Sequence, residues 1–245
     1  MLSRFRNALR EQGLATLGFR GLASLAAWMT AGRLRVVWYL LIAQPVRHDW
    51  RIPAKMARAV AIRVLRADDP VLAQAPRPAA VIADRFAQGA VCIAAMRAEA
   101  LSGFLWLCPV QYIEDDVRCI FVLPASGEAW WDFDVWIPPG ERNGVVFAKL
   151  WQAAHDFLRA SGARWTCSRI TRMNAASLGA HRRLGAVTIG HALFLCGRRQ
   201  QVTIASRAFL HFSRGADAAP RLHVHPPYTP ATPSEATPTS PRALP

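Results

Sequence analysis

The stretch from Trp130 to Ala186 constrains the fold of this chain more than any other, because it combines the two periodicities of regular structure. In Trp130–Ile137 apolar and polar side chains alternate, which is typical of a β-strand with one buried face. Pro138-Pro139-Gly140 then ends the strand, because two residues without amide hydrogens cannot continue a hydrogen-bonded ladder. The stretch therefore predicts a strand that stops at a tight turn.

A helix, a second strand and a second helix are predicted after this turn. Apolar residues recur at helical spacing from Val146 onwards, and Ser161-Gly162 is a typical helix end. Trp165–Ile170 has the composition of a strand, and Asn174 is a typical N-cap for a helix that carries His181. Strands joined by a helical crossover lie parallel, with unpaired helix amides beside the end of the first strand. That arrangement favours the binding of an anion.

The first strand also carries two carboxylates. Strict alternation places Asp132 and Asp134 on one face, opposite the apolar residues Trp131, Phe133, Val135 and Ile137. A carboxylate beside an anion site is a candidate general base, and pairing with one of the many arginines is the alternative interpretation.

Two parts of this stretch resemble the GCN5-related N-acetyltransferases (the GNAT superfamily). The first is Pro139-x-x-Arg142 followed by a helix and a strand, and the second is Asn174-x-x-Ser177-x-x-x-His181-x-x-Leu184-Gly185-Ala186. The family turn reads Arg/Gln-x-x-Gly-x-Gly/Ala, whereas Val145 and Phe147 stand here at the small positions. An alternative register places Glu141 at the arginine position and Gly144 at the first glycine.

The resemblance implies an α/β (α+β) fold with a mixed, mostly antiparallel central sheet flanked by helices. It implies acetyl-CoA as cosubstrate, with its pyrophosphate over the turn and the helix start. The implied cofactor-binding residues are Ile137, Arg142, Asn143, Gly144, Val145, Val146, Phe147, Asn174 and Ser177. His181 stands where family members commonly carry a tyrosine that protonates the leaving thiolate, and Asp132 or Asp134 would then be the base. A core histidine and a plain N-cap are the alternatives for His181 and Asn174.

Further strands are predicted on both sides of this stretch. They cover Arg35–Ala43, Ala59–Leu65, Gly89–Met96, Leu101–Leu107, Val117–Leu123, Val187–Leu195 and Gln201–Phe212. A series of strands followed by strand-helix-strand-helix-strand indicates one mixed sheet with helices packed on it. We assign residues 33–212 to this domain.

The two terminal segments differ from the domain in composition. Residues 1–32 predict a basic, amphipathic helical arm, whose uncharged run Gly21–Gly32 is too short to cross about 30 Å of hydrocarbon. Such a helix favours packing on the domain or a partner, and peripheral contact with the inner membrane surface is the alternative. Residues 213–245 are rich in Pro, Thr and Ser, which predicts a disordered tail that is dispensable for folding.

Charge and cysteine content bound the function. Thirty Lys and Arg residues against 16 acidic ones give a net charge of +14, which favours an anionic partner such as CoA. The five cysteines form no Cys-x-x-Cys pair, so we expect reduced thiols, no metal site and a cytoplasmic location.

We therefore predict an acyltransferase, an acetyl-CoA-dependent N-acetyltransferase with a small-molecule or peptide amine as acceptor. A noncatalytic, partner-binding domain of the same fold is the alternative, favoured by the missing turn glycines and the missing tyrosine. A nucleic-acid-binding protein is less favoured, because no basic stripe interleaved with aromatic residues is present.

Overall fold

The computed structural model describes residues 28–47, 51–53, 58–142, 144–215 and 218–227, together with the single residues 18, 21, 24 and 55. Most of the predicted arm, and residues 228–245 of the predicted tail, lie outside the described residues. The helical arm and its peripheral membrane contact therefore stay predictions. Within the described part of the chain, no helix is long and apolar enough to span a membrane.

Twelve strands form two sheets among the described residues. The strands are β1 (Arg35–Pro45), β2 (Ala61–Leu65), β3 (Val91–Arg97), β4 (Ala100–Cys108), β5 (Gln111–Ile113), β6 (Ile120–Val122), β7 (Ala129–Trp136), β8 (Trp165–Thr171), β9 (Val187–Cys196), β10 (Gln200–Ala205), β11 (Phe209–Arg214) and β12 (Arg221–His223). The helices are α1 (Ala79–Ala87), α2 (Val145–Ala160) and α3 (Ala175–Arg183), with short 3-10 turns at Pro70–Gln74 and Pro139–Glu141.

The large sheet has the order β11-β10-β9-β1-β8-β7-β4-β3-β2, and the small sheet has the order β12-β6-β5. In the large sheet β7 and β8 are parallel, and the other neighbouring strands are antiparallel. The predicted mixed, mostly antiparallel sheet flanked by helices is confirmed.

The first strand of the chain lies in the middle of the large sheet. β1 pairs with β8 on one side and with β9 on the other, antiparallel to both. Its sequence is apolar almost throughout, as a strand covered on both faces requires. Arg35 at its exposed start is charged, and Gln44 is polar although it is fully buried.

Two hydrophobic cores cover the two faces of this sheet. On one face α2 packs Leu150, Trp151 and Leu158 against apolar residues of β3 and β4. On the other face the small sheet contributes Phe121, whose ring stacks on Trp131 at 4.6 Å between centroids. The β7 strand therefore has a helix on one side and an aromatic layer on the other.

A β-bulge interrupts the alternation of β7. Phe104 pairs with Trp136 and Trp106 pairs with Phe133, so one residue of β4 faces two of β7 between these pairs. Asp134 has a φ of +45°, the left-handed conformation that aspartate tolerates better than most residues. Beyond the bulge, Val135 faces the α2 core, on the opposite side from Phe133. The prediction that Asp132 and Asp134 share one face, and that Val135 lies with Phe133, is wrong.

The two parallel strands separate soon after they pair. β7 and β8 are hydrogen-bonded only where Ala129–Trp131 faces Trp165–Cys167. Both strands continue further, β7 to Trp136 and β8 to Thr171. The sheet is therefore open along the carboxyl halves of these strands, and we call this opening the fork.

The folded domain extends past the boundary predicted at Ser213. β11 includes Ser213 and Arg214, and β12 adds a parallel strand to β6 with Leu222 buried. Val224 is buried as well. The predicted start of the tail is therefore too early, because a strand of three residues leaves too short a pattern to be recognised in a Pro-rich context.

Candidate active site

The fork contains a cavity of about 210 Å³. Its walls are the β7 segment from Trp131 to Val135 and the β8 segment from Ser168 to Thr171. The helix α3 and its N-cap close one side with Asn174, Ser177 and His181. The predicted helical crossover thus brings both strand ends and the second helix to one point.

Asp132 comes directly after the last paired residue of β7 and lines the fork cavity. Its carboxylate is buried and accepts a hydrogen bond from the Thr166 hydroxyl of β8. Burial raises the pKa of Asp132 to about 7, although the neighbouring hydroxyl groups of Thr166 and Ser168 act to lower it. No cation pairs with it among the described residues. A carboxylate with this pKa suits a general base at neutral pH.

Asp134 has a different environment because of the bulge. Arg77 Nε donates to its Oδ2 at 2.8 Å, and Arg85 forms a second ion pair with it. The Arg85 guanidinium lies over the Phe133 ring, 5.2 Å from its centroid. Pairing with arginines, the alternative interpretation from the sequence, is therefore the observed one. The geometry favours Asp132 over Asp134 as the base.

A second, larger cavity of about 650 Å³ adjoins the fork, and we call it the groove. It runs between the end of β7, the start of α2 and the outer face of α3. Three arginines line it, Arg47, Arg142 and Arg183, and no acidic residue of the described part of the chain does. Its electrostatic potential therefore favours an anionic ligand.

The turn before α2 forms one wall of the groove. Arg142 Nε donates to the Ile137 carbonyl at 3.1 Å, and Gly144 is the N-cap of α2. Because glycine has no side chain, the first helix amides have no side-chain cap and stay available to a ligand. Glu141 instead pairs with Arg97 at 2.9 Å. This pairing favours the register with Arg142, and not Glu141, at the ligand.

The predicted cofactor-binding residues fall into three groups. Those that line the groove are Ile137, Arg142, Gly144, Phe147, Asn174 and Ser177. Val145 and Val146 pack their side chains into the α2 core, so only their backbone amides can face a ligand. Asn143 lies outside the described residues.

Asn174 caps α3 by accepting a hydrogen bond from the Ser177 amide at 3.0 Å. The plain N-cap, the alternative interpretation of this residue, is therefore observed. Both residues also line the groove and the fork cavity, so the cap lies where the two cavities meet.

His181 lies at the same meeting point. It lines both cavities, its Nδ1 is 3.0 Å from the Gln44 side chain, and its ring packs edge-on against Trp151. Burial lowers the pKa of His181 to about 4, so the ring is neutral at pH 7. The imidazolium donor expected from the sequence is therefore scarce, and a neutral ring offers a hydrogen bond instead.

Several residues of the site were missed in the sequence. Gln44 and His155 are buried polar residues within otherwise apolar segments, and Arg183 lines the groove from the last turn of α3. A polar residue inside a buried apolar segment needs a hydrogen-bond partner. The positions of Gln44 in β1 and His155 in α2 could therefore have predicted buried hydrogen bonds. The position of Arg183 depends on the rotation of α3, which the sequence does not specify.

No protein-family model matches this chain, and no curated protein matches it either. Solved structures similar to it include an aminoglycoside acetyltransferase from an uncultured soil metagenomic sample, with 12% identity over 53% of this chain and 89% of that chain and a TM-score of 0.40. A Trypanosoma brucei acetyltransferase shows 16% identity, with coverages of 51% and 91% and a TM-score of 0.37.

A tandem GNAT protein from the clavulanic acid biosynthesis pathway shows 13% identity over 66% of this chain and 55% of that chain, with a TM-score of 0.42. The first two of these proteins are named as acetyltransferases and the third as a GNAT protein. All three TM-scores are below 0.5, so the function proposed next rests on the geometry of the site.

Proposed function

We propose that this protein is an acetyl-CoA-dependent N-acetyltransferase that acts on a primary amine. The observation that carries the proposal is that the groove and the fork cavity lie side by side. They share Val135, Asn174, Ser177 and His181, so ligands bound in the two cavities would be neighbours. An acyl transfer needs this arrangement, because the two reacting groups must meet in one orientation away from water.

The groove fits CoA in charge and in shape. Its arginines, together with the free amides at the start of α2, can pair with pyrophosphate oxygens. Ile137, Phe147 and Leu184 provide apolar surface for the uncharged parts of the ligand. Bound acetyl-CoA would supply an acetyl group activated as a thioester.

The residues of the fork would handle the proton of the amine. An alkylamine is an ammonium ion at neutral pH, and it must lose a proton before its nitrogen can form the new C–N bond. Asp132 would accept this proton, since its raised pKa lets it do so near pH 7. The C–S bond breaks as the C–N bond forms, the nitrogen releases its second proton to solvent, and the thiolate that leaves takes up a proton from solvent. The neutral His181 ring would hydrogen bond to the reacting carbonyl or sulfur.

The size of the fork cavity favours a small acceptor or the end of a peptide. Arg169 and Asp134 line it, and each is already ion-paired, Arg169 with Glu114 and Asp134 with Arg77 and Arg85. An acceptor would therefore meet charges of both signs that are fixed in place. We place a small-molecule or peptide amine in this cavity.

A thiol-release assay tests the proposal. The purified chain would be mixed with acetyl-CoA and a panel of polyamines, amino sugars, aminoglycosides and peptide N-termini, and the free CoA thiol would be measured. We expect release that depends on one class of amine and falls with Asp132→Asn. Binding of acetyl-CoA without amine-dependent release from any of them would favour the noncatalytic, partner-binding alternative.

A further inference from the structure

Three buried side chains connect β1, α2 and α3 behind the meeting point of the two cavities. The backbone N–H of Arg47 lies 3.1 Å from His155 Nδ1. His155 Nε2 lies 3.2 Å from the side-chain amide of Gln44, and the other end of that amide lies 3.0 Å from His181 Nδ1. Gln44, His155 and His181 are each at most 6% exposed. These contacts form one chain of hydrogen bonds that ends at the cavities.

The direction of every hydrogen bond in this chain follows from its first member. A backbone N–H can only donate, so His155 Nδ1 must accept and carries no proton. The proton of the neutral His155 ring is therefore on Nε2, which donates to Gln44. In the structure the amide nitrogen of Gln44 lies beside His155 Nε2 and its oxygen lies beside His181 Nδ1. Two N–H groups cannot hydrogen bond to each other, so we assign the reversed amide, with its oxygen toward His155 and its NH₂ group toward His181. The oxygen and nitrogen of such an amide exchange places by rotation of its last side-chain bond, so this orientation costs no change of shape.

His181 Nδ1 therefore accepts, and the proton of its ring is on Nε2. That nitrogen has no partner among the described residues, and the ring borders both the groove and the fork cavity. We infer that Gln44 and His155 are positioning residues, which hold His181 as the neutral tautomer with its Nε2–H directed to the reacting groups.

Burial supports the neutral state of both rings. It lowers the pKa of His155 and of His181 to about 4, and the nearby positive charge of Arg47 adds to the effect at His155. Each ring then has a single proton at pH 7, and the hydrogen bonds decide which nitrogen holds it.

This tautomer gives His181 a defined role, which rests on the proposed function. A neutral Nε2–H is a fixed hydrogen-bond donor for the oxygen or sulfur that gains negative charge during acyl transfer. It would not transfer its own proton, because a neutral imidazole is a very weak acid. The opposite tautomer would present a lone pair to that charge and would repel it.

Histidine tautomers are measured directly by NMR. Long-range ¹H–¹⁵N correlation spectra of the full chain labelled with ¹⁵N-histidine distinguish protonated from unprotonated ring nitrogens, and a His181→Phe variant assigns the His181 signals by their absence. At pH 7 we expect a protonated Nε2 and an unprotonated Nδ1 for His181, and the same for His155. A protonated Nδ1 on His181, with or without a protonated Nε2, would overturn the inference.

Gln44→Met tests the link between the two rings. Methionine has nearly the same length but no donor, so we expect His181 to populate both tautomers and kcat to fall by about tenfold, the effect of one weakened hydrogen bond. CoA affinity should stay unchanged. The matched control is Gln88→Met, which removes an amide that accepts from Ile113 N–H away from both cavities. An unchanged His181 tautomer in a folded Gln44→Met protein would contradict the positioning role.

The spectra need neither acetyl-CoA nor an acceptor. If no amine is acetylated but His181 carries its proton on Nε2, the hydrogen-bond inference stands and the proposed function fails. If acetylation is observed but the proton is on Nδ1, the proposed function stands and this inference fails.

Discussion

At the scale of single residues, burial acts in opposite directions on two neighbouring parts of the site. It raises the pKa of Asp132 to about 7 and lowers that of His181 to about 4. Both shifts reduce charge at neutral pH, because a low-dielectric environment disfavours any ion without a counterion. The site therefore offers a proton acceptor and a neutral hydrogen-bond donor, and each role follows from its surroundings and not from the residue type.

Asp132→Asn should lower kcat by about a hundredfold or more, the usual effect of removing a general base. In the parent protein kcat should rise with pH around a midpoint near 7, because only the ionised Asp132 can accept a proton. In the variant this midpoint should be absent. Parental kcat in the variant from pH 6 to 9 would show that Asp132 has no role in proton transfer.

The same substitution should stabilise the fold at high pH. The folded pKa of Asp132 is raised above its unfolded value, so its contribution to stability is fully present below about pH 4 and is lost as pH rises through about 7. Asparagine stays neutral throughout, so the Tm of the variant relative to the parent should increase from pH 5 to pH 8. A Tm difference that is the same at both values would mean that this carboxyl is not buried as described.

At the scale of elements, the bulge in β7 lies next to the point where β7 and β8 separate to form the fork. The extra residue at Asp134 turns the second half of β7, and the pairing of β7 with β8 ends just before it, after Trp131. Two arginines from outside the strand then hold Asp134, and Arg85 is itself buried against aromatic rings. One wall of the fork is therefore held in place by a buried ion-pair cluster.

Asp134→Asn tests this cluster. Asparagine tolerates the left-handed backbone conformation about as well as aspartate, so the change removes the charge and keeps the bulge. We expect the Tm to fall by about 6–20 °C, because breaking a buried ion pair costs about 3–5 kcal/mol. Asp68→Asn is the matched control, since Asp68 and Arg66 form an ion pair with both side chains exposed. It should change the Tm by about 2 °C or less, and equal effects would refute the special role of Asp134.

The sequence predicted the elements around the site better than their details. Strand, turn, helix, strand and helix were all found where Trp130–Ala186 predicted them, because proline, glycine and the N-cap Asn174 mark their ends clearly. The bulge was missed, because neither glycine nor proline marks it and aspartate adopts its conformation unaided. The hydrogen-bond chain was missed because Gln44 and His181 are 137 residues apart in the sequence and meet only in the folded sheet.

At the scale of the whole molecule, the first and the last of the described strands are built into the two sheets. β1 separates β8 from β9 in the large sheet, and β12 extends the small sheet beside β6. Such placements depend on which strands pair over long distances in sequence, so strand patterns alone do not reveal them. Part of the excess positive charge of the chain lies in the groove, which Arg47, Arg142 and Arg183 line.

Two truncations test the corrected boundary of the domain. Removal of residues 228–245 should leave the Tm unchanged within about 2 °C, because their Pro-, Thr- and Ser-rich sequence predicts a segment that is dispensable for folding. Removal of residues 218–245 deletes β12 with the buried Leu222 and Val224, so the Tm should fall by clearly more. Equal Tm values for the two truncated proteins would support the domain boundary at Ser213 that the sequence predicts.

Calorimetric titration of CoA into the purified protein tests the central claim, that the arginine-lined groove binds this ligand. The account predicts saturable binding that weakens by about tenfold in Arg142→Ala and in Arg183→Ala, the effect of one charge-assisted hydrogen bond each. Arg66→Ala, whose exposed side chain lies outside the groove, should bind as the parent does. No binding by the parent protein, or binding that neither groove variant weakens, would contradict it.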